Sequence, residues 1–182
     1  HAICATASEN ADPVHKISII PRGLGALGFT LQTPTEDKHL HTLTELKSRL
    51  VTLYGGRVAE EIYFGEVTTG AVDDIKRATH LAARMVYELG MSQDIGAIAY
   101  PSHGQSPYEL SNSIGQTPSP MMAQSLETAH RELLLWAYQE STDIIQSNQG
   151  LLEKMREEIL KVETLSGDVL KGFLTEVHSS RN

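Results

Sequence analysis

At 182 residues, with a formal net charge of −8 and 21% charged residues, the chain has the composition of an ordinary globular protein of one domain or two small helical lobes. Its Lys and Arg residues are scattered and form no basic tract, which argues against a nucleic-acid partner. Cys4 is the single cysteine, so an intrachain disulfide and a cysteine-based metal cage are excluded, and a reducing compartment fits.

Residues 1–12 open as a helix-compatible run (Ala2, Ile3, Cys4, Ala5, Ala7) that must end by Asp12-Pro13, because proline disfavours helix in the residue before it. Val14, Ile17, Ile19 and Ile20 give residues 14–20 the β-branched content of a strand. Pro21-Arg22-Gly23 reads as a turn, and Phe29, Thr30 and Leu31 as a second short strand, together a small hairpin-like sheet. After a polar loop, Thr42 and Glu45 have the spacing of a capping box. Leu43, Leu46, Leu50, Leu53, Tyr54, Val58 and Ile62 follow at helical spacing. Gly55-Gly56 lies inside that helix, where each glycine costs roughly 1 kcal/mol, and implies a break or a close approach by another backbone.

A second helix is predicted over 73–89, stopped by Gly90. Residues 101–120 are rich in Pro and Ser and are expected to form a mobile loop. From Pro120 the pattern is helical: one stripe through Met122, Leu126, Ala129, Leu133 and Trp136, a second through Leu152, Met155, Ile159 and Leu160, and a last short helix through Val169, Leu170, Phe173, Leu174 and Val177. Ser147-Asn148-Gln149-Gly150 should separate or kink the two long pieces, and Trp136 and Met155 are core residues.

Residue patterns alone yield little chemistry. There is no His-x-x-x-His pair, no Gly-x-Ser-x-Gly elbow and no phosphate-binding Gly-x-x-x-x-Gly-Lys-Ser/Thr loop. Gly23, Gly25 and Gly28 approach a dinucleotide fingerprint, but no helix follows them. No run approaches the roughly 20 apolar residues of a membrane helix, and none looks like a signal peptide.

Three blocks carry a resemblance. The first is Ala11-Asp12-Pro13-Val14-His15-Lys16-Ile17-Ser18-Ile19-Ile20-Pro21-Arg22-Gly23, continued by Gly25-Ala26-Leu27-Gly28-Phe29-Thr30. The second is Leu53-Tyr54-Gly55-Gly56-Arg57-Val58-Ala59-Glu60-Glu61-Ile62, then Phe64-Gly65-Glu66-Val67-Thr68-Thr69-Gly70-Ala71, and the third is Asp73-Asp74-Ile75-Lys76-Arg77-Ala78-Thr79. In this order they resemble the peptidase domain of the FtsH-type ATP-dependent zinc metalloproteases.

The resemblance implies a mainly α peptidase domain with a small β element near the N-terminus: a zinc-peptidase lobe over 1–100, the 101–120 loop, and a C-terminal helical lobe over 121–182. It implies a zinc site built by a His-Glu-x-x-His helix and a distant Asp. His1 falls on the second His of that motif, and Asp74 on the Asp. The first His and the Glu base are then expected upstream of His1, so no catalytic base is assigned in this sequence and the stretch alone is expected to be inactive. By pattern alone, Asp74 is also an ordinary acidic residue in the first turn of a helix, as Asp73 is. His15 is read as a strand residue of the first block and not as a ligand.

Two further roles follow from the resemblance. Glu60 and Glu61 either form a solvated helix face, ion-paired to Arg57, or supply a carboxylate that orients a zinc-bound imidazole; Glu60, one turn after Gly56, is the candidate for the latter. Ile17, Ile19, Phe29 and Leu31 are candidates to hold an extended substrate against a strand edge. In the family, an ATPase domain absent from this chain uses ATP to unfold protein substrates. The assembly is a homo- or hetero-hexamer, and a membrane anchor, also absent here, leaves the peptidase domain in the cytoplasm, matrix or stroma. The competing expectation is a catalytically silent helical module in such a ring, because Ile3-Cys4-Ala5-Thr6-Ala7-Ser8 is polar for a buried helix and the front of the zinc motif is not in this sequence.

Overall fold

The computed structural model describes residues 1–21, 28–33, 40–100 and 118–179. The turn expected at Pro21-Arg22-Gly23 and the loop expected at 101–120 lie largely outside the described residues. Helix α1 (Ala2–Ala7) starts directly after His1, with the Ala5 N–H donating to the His1 carbonyl at 2.9 Å. Ala2, Ile3, Cys4 and Ala5 are buried. Thr6 and Ser8 turn their hydroxyls back onto the carbonyls of Ala2 and Cys4, at 2.9 and 2.7 Å. A polar run therefore forms a buried helix by satisfying its hydroxyls against its own backbone.

Strands β1 (Val14–Ser18) and β2 (Phe29–Gln32) pair antiparallel, with Ile17 opposite Thr30 and Ser18 opposite Phe29. A third strand, β3 (Thr164–Ser166), returns from the far end of the chain and pairs antiparallel with the other side of β1. The order among the described residues is β2-β1-β3, so β1 is central and β2 is an edge of that sheet. No pattern announces β3, because a three-residue strand with one buried side chain, Leu165, carries almost no alternation.

Helix α2 (Leu43–Phe64) is the spine. Its capping box forms as expected: the Glu45 N–H donates to Thr42 Oγ1 at 3.2 Å, and the Thr42 N–H donates to Glu45 Oε2 at 2.8 Å. Leu46, Leu50, Val51, Tyr54 and Val58 form its buried stripe, and the helix passes through Gly55-Gly56 unbroken. A 3₁₀ turn (Thr69–Ala71) leads into α3 (Val72–Ala83). Its last stretch, Arg84–Glu88, widens into a π turn, with the Leu89 N–H donating to the Arg84 carbonyl at 3.0 Å before Gly90 at φ +60°. Helix α4 (Pro120–Ser147) starts at Ser119, whose Oγ accepts the Met122 N–H at 3.3 Å. Helix α5 (Gln149–Val162) and helix α6 (Gly167–Thr175) complete the chain.

Asn148 makes the junction between α4 and α5. It is buried, donates from Nδ2 to the carbonyls of Ile144 and His178, and accepts the His178 N–H, each at 2.8 Å. One core cluster joins side chains from both ends of the chain, including Cys4, Leu50, Val58, Met85, Ile144, Leu165 and Leu170. Met155 is in it, and Trp136 packs against it beneath Lys47, whose Nζ sits 4.9 Å from the ring centre. Two expected stripe residues face solvent instead: Leu160 is 66% exposed and Val169 57%, because the α5 and α6 core faces run through Leu151, Met155 and Leu170. No helix among the described residues is long and apolar enough to cross a membrane.

Cys4 is wholly buried, with its Sγ 3.4 Å from Ser141 Oγ. Burial disfavours the thiolate and pushes the thiol up to about 11, against a smaller opposing effect of the Ser141 contact. The folded protein is therefore expected to resist alkylation at pH 8, with labelling that appears only as denaturant unfolds it. Stoichiometric labelling of the native protein at that pH would contradict the packing of α1.

Candidate metal centre

His1 is placed by the seating of α1 on α2. A Cβ on Gly55 would lie 3.0 Å from Cys4 Sγ and 3.0 Å from the His1 backbone nitrogen. A Cβ on Gly56 would lie 2.7 Å from His1 Nε2, closer than real contacts allow. The double glycine is therefore a close-approach site, where two adjacent positions without side chains let another backbone and an imidazole lie against the helix. Ser48 secures the exit of α1 by donating to the Glu9 carbonyl at 2.6 Å, and Arg49 reaches Asp12 at 3.4 Å.

The imidazole is oriented at both nitrogens. Nδ1 lies 2.8 Å from the Thr52 carbonyl, which can only accept, so Nδ1 carries the hydrogen. Nε2 then points at Asp74 Oδ2, 3.3 Å away. A backbone carbonyl that fixes one ring nitrogen and leaves the other to face a cation is the usual outer partner of a metal-bound histidine. Asp74 stands in the first turn of α3, next to the exposed Asp73, and Arg77 lies one turn on, with Nη1 3.9 Å from Asp74 Oδ1.

Electrostatics bind the pair. Burial works against a charged His1, but the Asp74 bond, the Thr52 bond and the Asp74 charge outweigh it and raise the His1 pKa above its ordinary value. The His1 bond lowers the Asp74 pKa, burial opposes this, and the charges of His1 and Arg77 add to the lowering. The spacing is compatible with a shared metal and equally with an ion pair, since the Arg84–Glu88 and Arg156–Glu153 pairs also stand at 3.3 Å. Two ligands at a tetrahedral angle on zinc stand about 3.3–3.5 Å apart, which matches the observed 3.3 Å. Among the described residues no group of three or more His, Cys, Asp or Glu side chains that could hold a metal ion forms; His1 and Asp74 bring two such donors together.

The pair opens onto a groove of about 770 Å³. One wall is β2, with Phe29, Thr30 and Leu31; the other is α3, with Asp74, Arg77, His80 and Leu81. Phe29 and Leu31 therefore stand on the groove. Ile17 does not, because β1 is paired on both sides, with Thr30 and with Leu165. Ile19 lies past the end of β1, and its N–H donates to the Glu163 carbonyl at 3.0 Å. His15 is exposed on β1, away from the pair.

Glu60 does not reach the imidazole, where the Thr52 carbonyl occupies the other nitrogen. Its Oε2 accepts from the Thr68 N–H at 3.3 Å and from Thr68 Oγ1 at 3.0 Å. It thus ties α2 to the turn that leads into α3 and Asp74. Glu61 accepts the Tyr138 hydroxyl. The sequence reading does not include Thr52, which acts through its backbone and leaves no sequence signal, or Arg77, whose i+3 spacing from Asp74 was the available clue.

A family model described as peptidase family M41 matches residues 1–172. The chain is 42% identical over 98% of its length to the ATP-dependent zinc metalloprotease FtsH of Syntrophobacter fumaroxidans, and 40% identical over 97% to that of Thermotoga maritima. It is 39% identical over 98% of its length to ATP-dependent zinc metalloprotease FtsH 4 of Synechocystis sp.. It spans 28%, 29% and 29% of the lengths of these relatives.

Proposed function

The chain belongs to peptidase family M41, and from that premise we propose that it hydrolyses peptide bonds at a zinc centre that includes His1 and Asp74, as the proteolytic part of a larger ATP-dependent enzyme. The observation that carries the reading is the pair itself: Nε2 and a carboxylate oxygen 3.3 Å apart, on a groove walled by an edge strand. Bound zinc would polarise the substrate carbonyl and lower the pKa of water. The Thr52 carbonyl keeps the His1 lone pair on Nε2, and Asp74 contributes a carboxylate charge. The edge of β2 offers backbone groups to an extended substrate, so affinity comes without a strict sequence requirement. The general base is assigned to the Glu of the His-Glu-x-x-His motif, outside the residues numbered here.

The substrates of this reading are unfolded or membrane proteins. The assembly is a homo- or hetero-hexamer fed by an ATPase domain, anchored to a membrane through other segments, with the peptidase part in the cytoplasm, matrix or stroma. The test is a casein-type assay of the intact protein. A chelator is expected to abolish hydrolysis and zinc to restore it. Hydrolysis that survives complete chelation would overturn the zinc reading, and a stoichiometrically zinc-loaded protein with no hydrolysis would favour a silent assembly module.

A further inference from the structure

We infer that Arg77 is a specificity-determining residue that favours substrates with an acidic side chain one or two positions from the scissile bond; the inference rests on the peptidase reading above. Among the described residues, the charged side chains on the groove are Asp12, Arg49, Asp74 and Arg77, with His1 and His80 beside them. Arg49 is matched by Asp12, at 3.4 Å. Arg77 has a single ion-pair partner among the described residues, Asp74 at 3.9 Å, and its side chain is 73% exposed. In the proposed site the Asp74 charge is committed to the cation. Arg77 is then, among the described residues, the more exposed of the two arginines on the groove and the one with the longer ion pair, 3.9 Å against 3.4 Å for Arg49, in a chain whose net charge is −8.

Position supports the assignment. Asp74, Arg77 and Leu81 recur at helical spacing along the α3 wall, opposite the β2 edge. Arg77 sits one turn from the ligand, about 4.5 Å along the helix axis. An extended peptide on β2 advances about 3.3 Å per residue. A side chain one or two residues from the reacting carbonyl and turned toward α3 therefore meets the guanidinium, which pairs well with a planar carboxylate.

The experiment uses quenched fluorescent peptides that are identical except for Glu, Gln or Lys at each of two positions on either side of the cleaved bond. The readout is the ratio of kcat/KM for Glu over Lys within one enzyme preparation, which partial loss of metal lowers equally for both peptides. At one of these positions the intact protein is expected to favour Glu about three- to tenfold at low salt. The preference should shrink as ionic strength rises toward about 1 M, where screening reaches a few ångströms. Arg77→Gln should bring the ratio near one, and Arg77→Glu should invert it. Arg49→Gln, which frees Asp12, should not mimic Arg77→Glu at that position. The same ordering is expected in Kd values of non-cleavable labelled peptides, read by fluorescence anisotropy. Hydrolysis with a ratio near one at every position, or a ratio that Arg77→Glu leaves unchanged, overturns the inference and spares the peptidase reading. A protein that neither cleaves nor binds any of the peptides overturns both.

Discussion

Gly56→Ala is expected to leave the fold at least as stable as the parent and to lower zinc affinity at least about tenfold, with peptidase activity falling in step. In a helix, Ala is favoured over Gly by about 1 kcal/mol, so the backbone gains from the change. The three atoms nearest the new methyl all belong to the His1 imidazole, with Nε2 at 2.7 Å and Cε1 at 3.1 Å. An imidazole can swing aside at little cost to stability, but doing so moves Nε2 away from Asp74. Gly55→Ala should behave in the opposite sense. Its methyl would press on the His1 backbone at 3.0 and 3.2 Å and on Cys4 Sγ at 3.0 Å, so α1 itself must shift. Overpacking of that kind costs about 1–3 kcal/mol. Zinc titration beside urea denaturation separates the two variants. If Gly56→Ala keeps full zinc affinity, His1 does not face the metal across α2.

This contrast also shows what the sequence could and could not disclose. Gly55-Gly56 inside an apolar stripe announces either a break or a close approach, because glycine is costly in a helix interior. It does not say what approaches, because His1 reaches α2 through the packing of α1. Features whose cause is local were readable: the Thr42/Glu45 box, the helix start at Ser119-Pro120 and the stop at Gly90. The antiparallel pairing of β1 with β2 belongs with them, since the β-branched run at 14–20 and the nearby Phe29-Thr30-Leu31 mark the two strands.

Features whose cause is distant were not readable. β3 exists because Leu165 packs in the core beside β1, and only then does β1 become central and β2 the edge that faces the groove. Asn148 looks like a linker residue until the His178 backbone comes back to it. The group that orients the His1 imidazole is the Thr52 backbone carbonyl, which leaves no sequence signal, while Glu60 accepts from Thr68. His1 and Asp74 were legible as partners only through the family resemblance, because no spacing rule links two residues so far apart in the chain.

Asp74→Asn in the intact protein should reduce peptidase activity at least about 100-fold, since even residues that merely support metal ligands cost 10–100-fold when removed. The amide is a weaker zinc ligand than the carboxylate and removes the negative charge that offsets the cation. Folding should change little. Asp74 keeps 27% of its side chain exposed, and the loss of one acidic residue from a helix start is worth roughly 0.3–1 kcal/mol. The control is its neighbour. Asp73 shares the first turn of α3 but is exposed and does not line the groove. Asp73→Asn should therefore carry the same small helix-start cost and keep both zinc and activity. Metal analysis beside a casein-type assay on the two variants discriminates a ligand from a helix-start charge, because the second role is common to both positions and the first belongs to Asp74. Equal losses at the two positions, or a larger loss at Asp73, would place the third ligand elsewhere on α3. Full activity and full zinc content in Asp74→Asn would mean that the 3.3 Å pair is an ordinary contact between α3 and the start of α1.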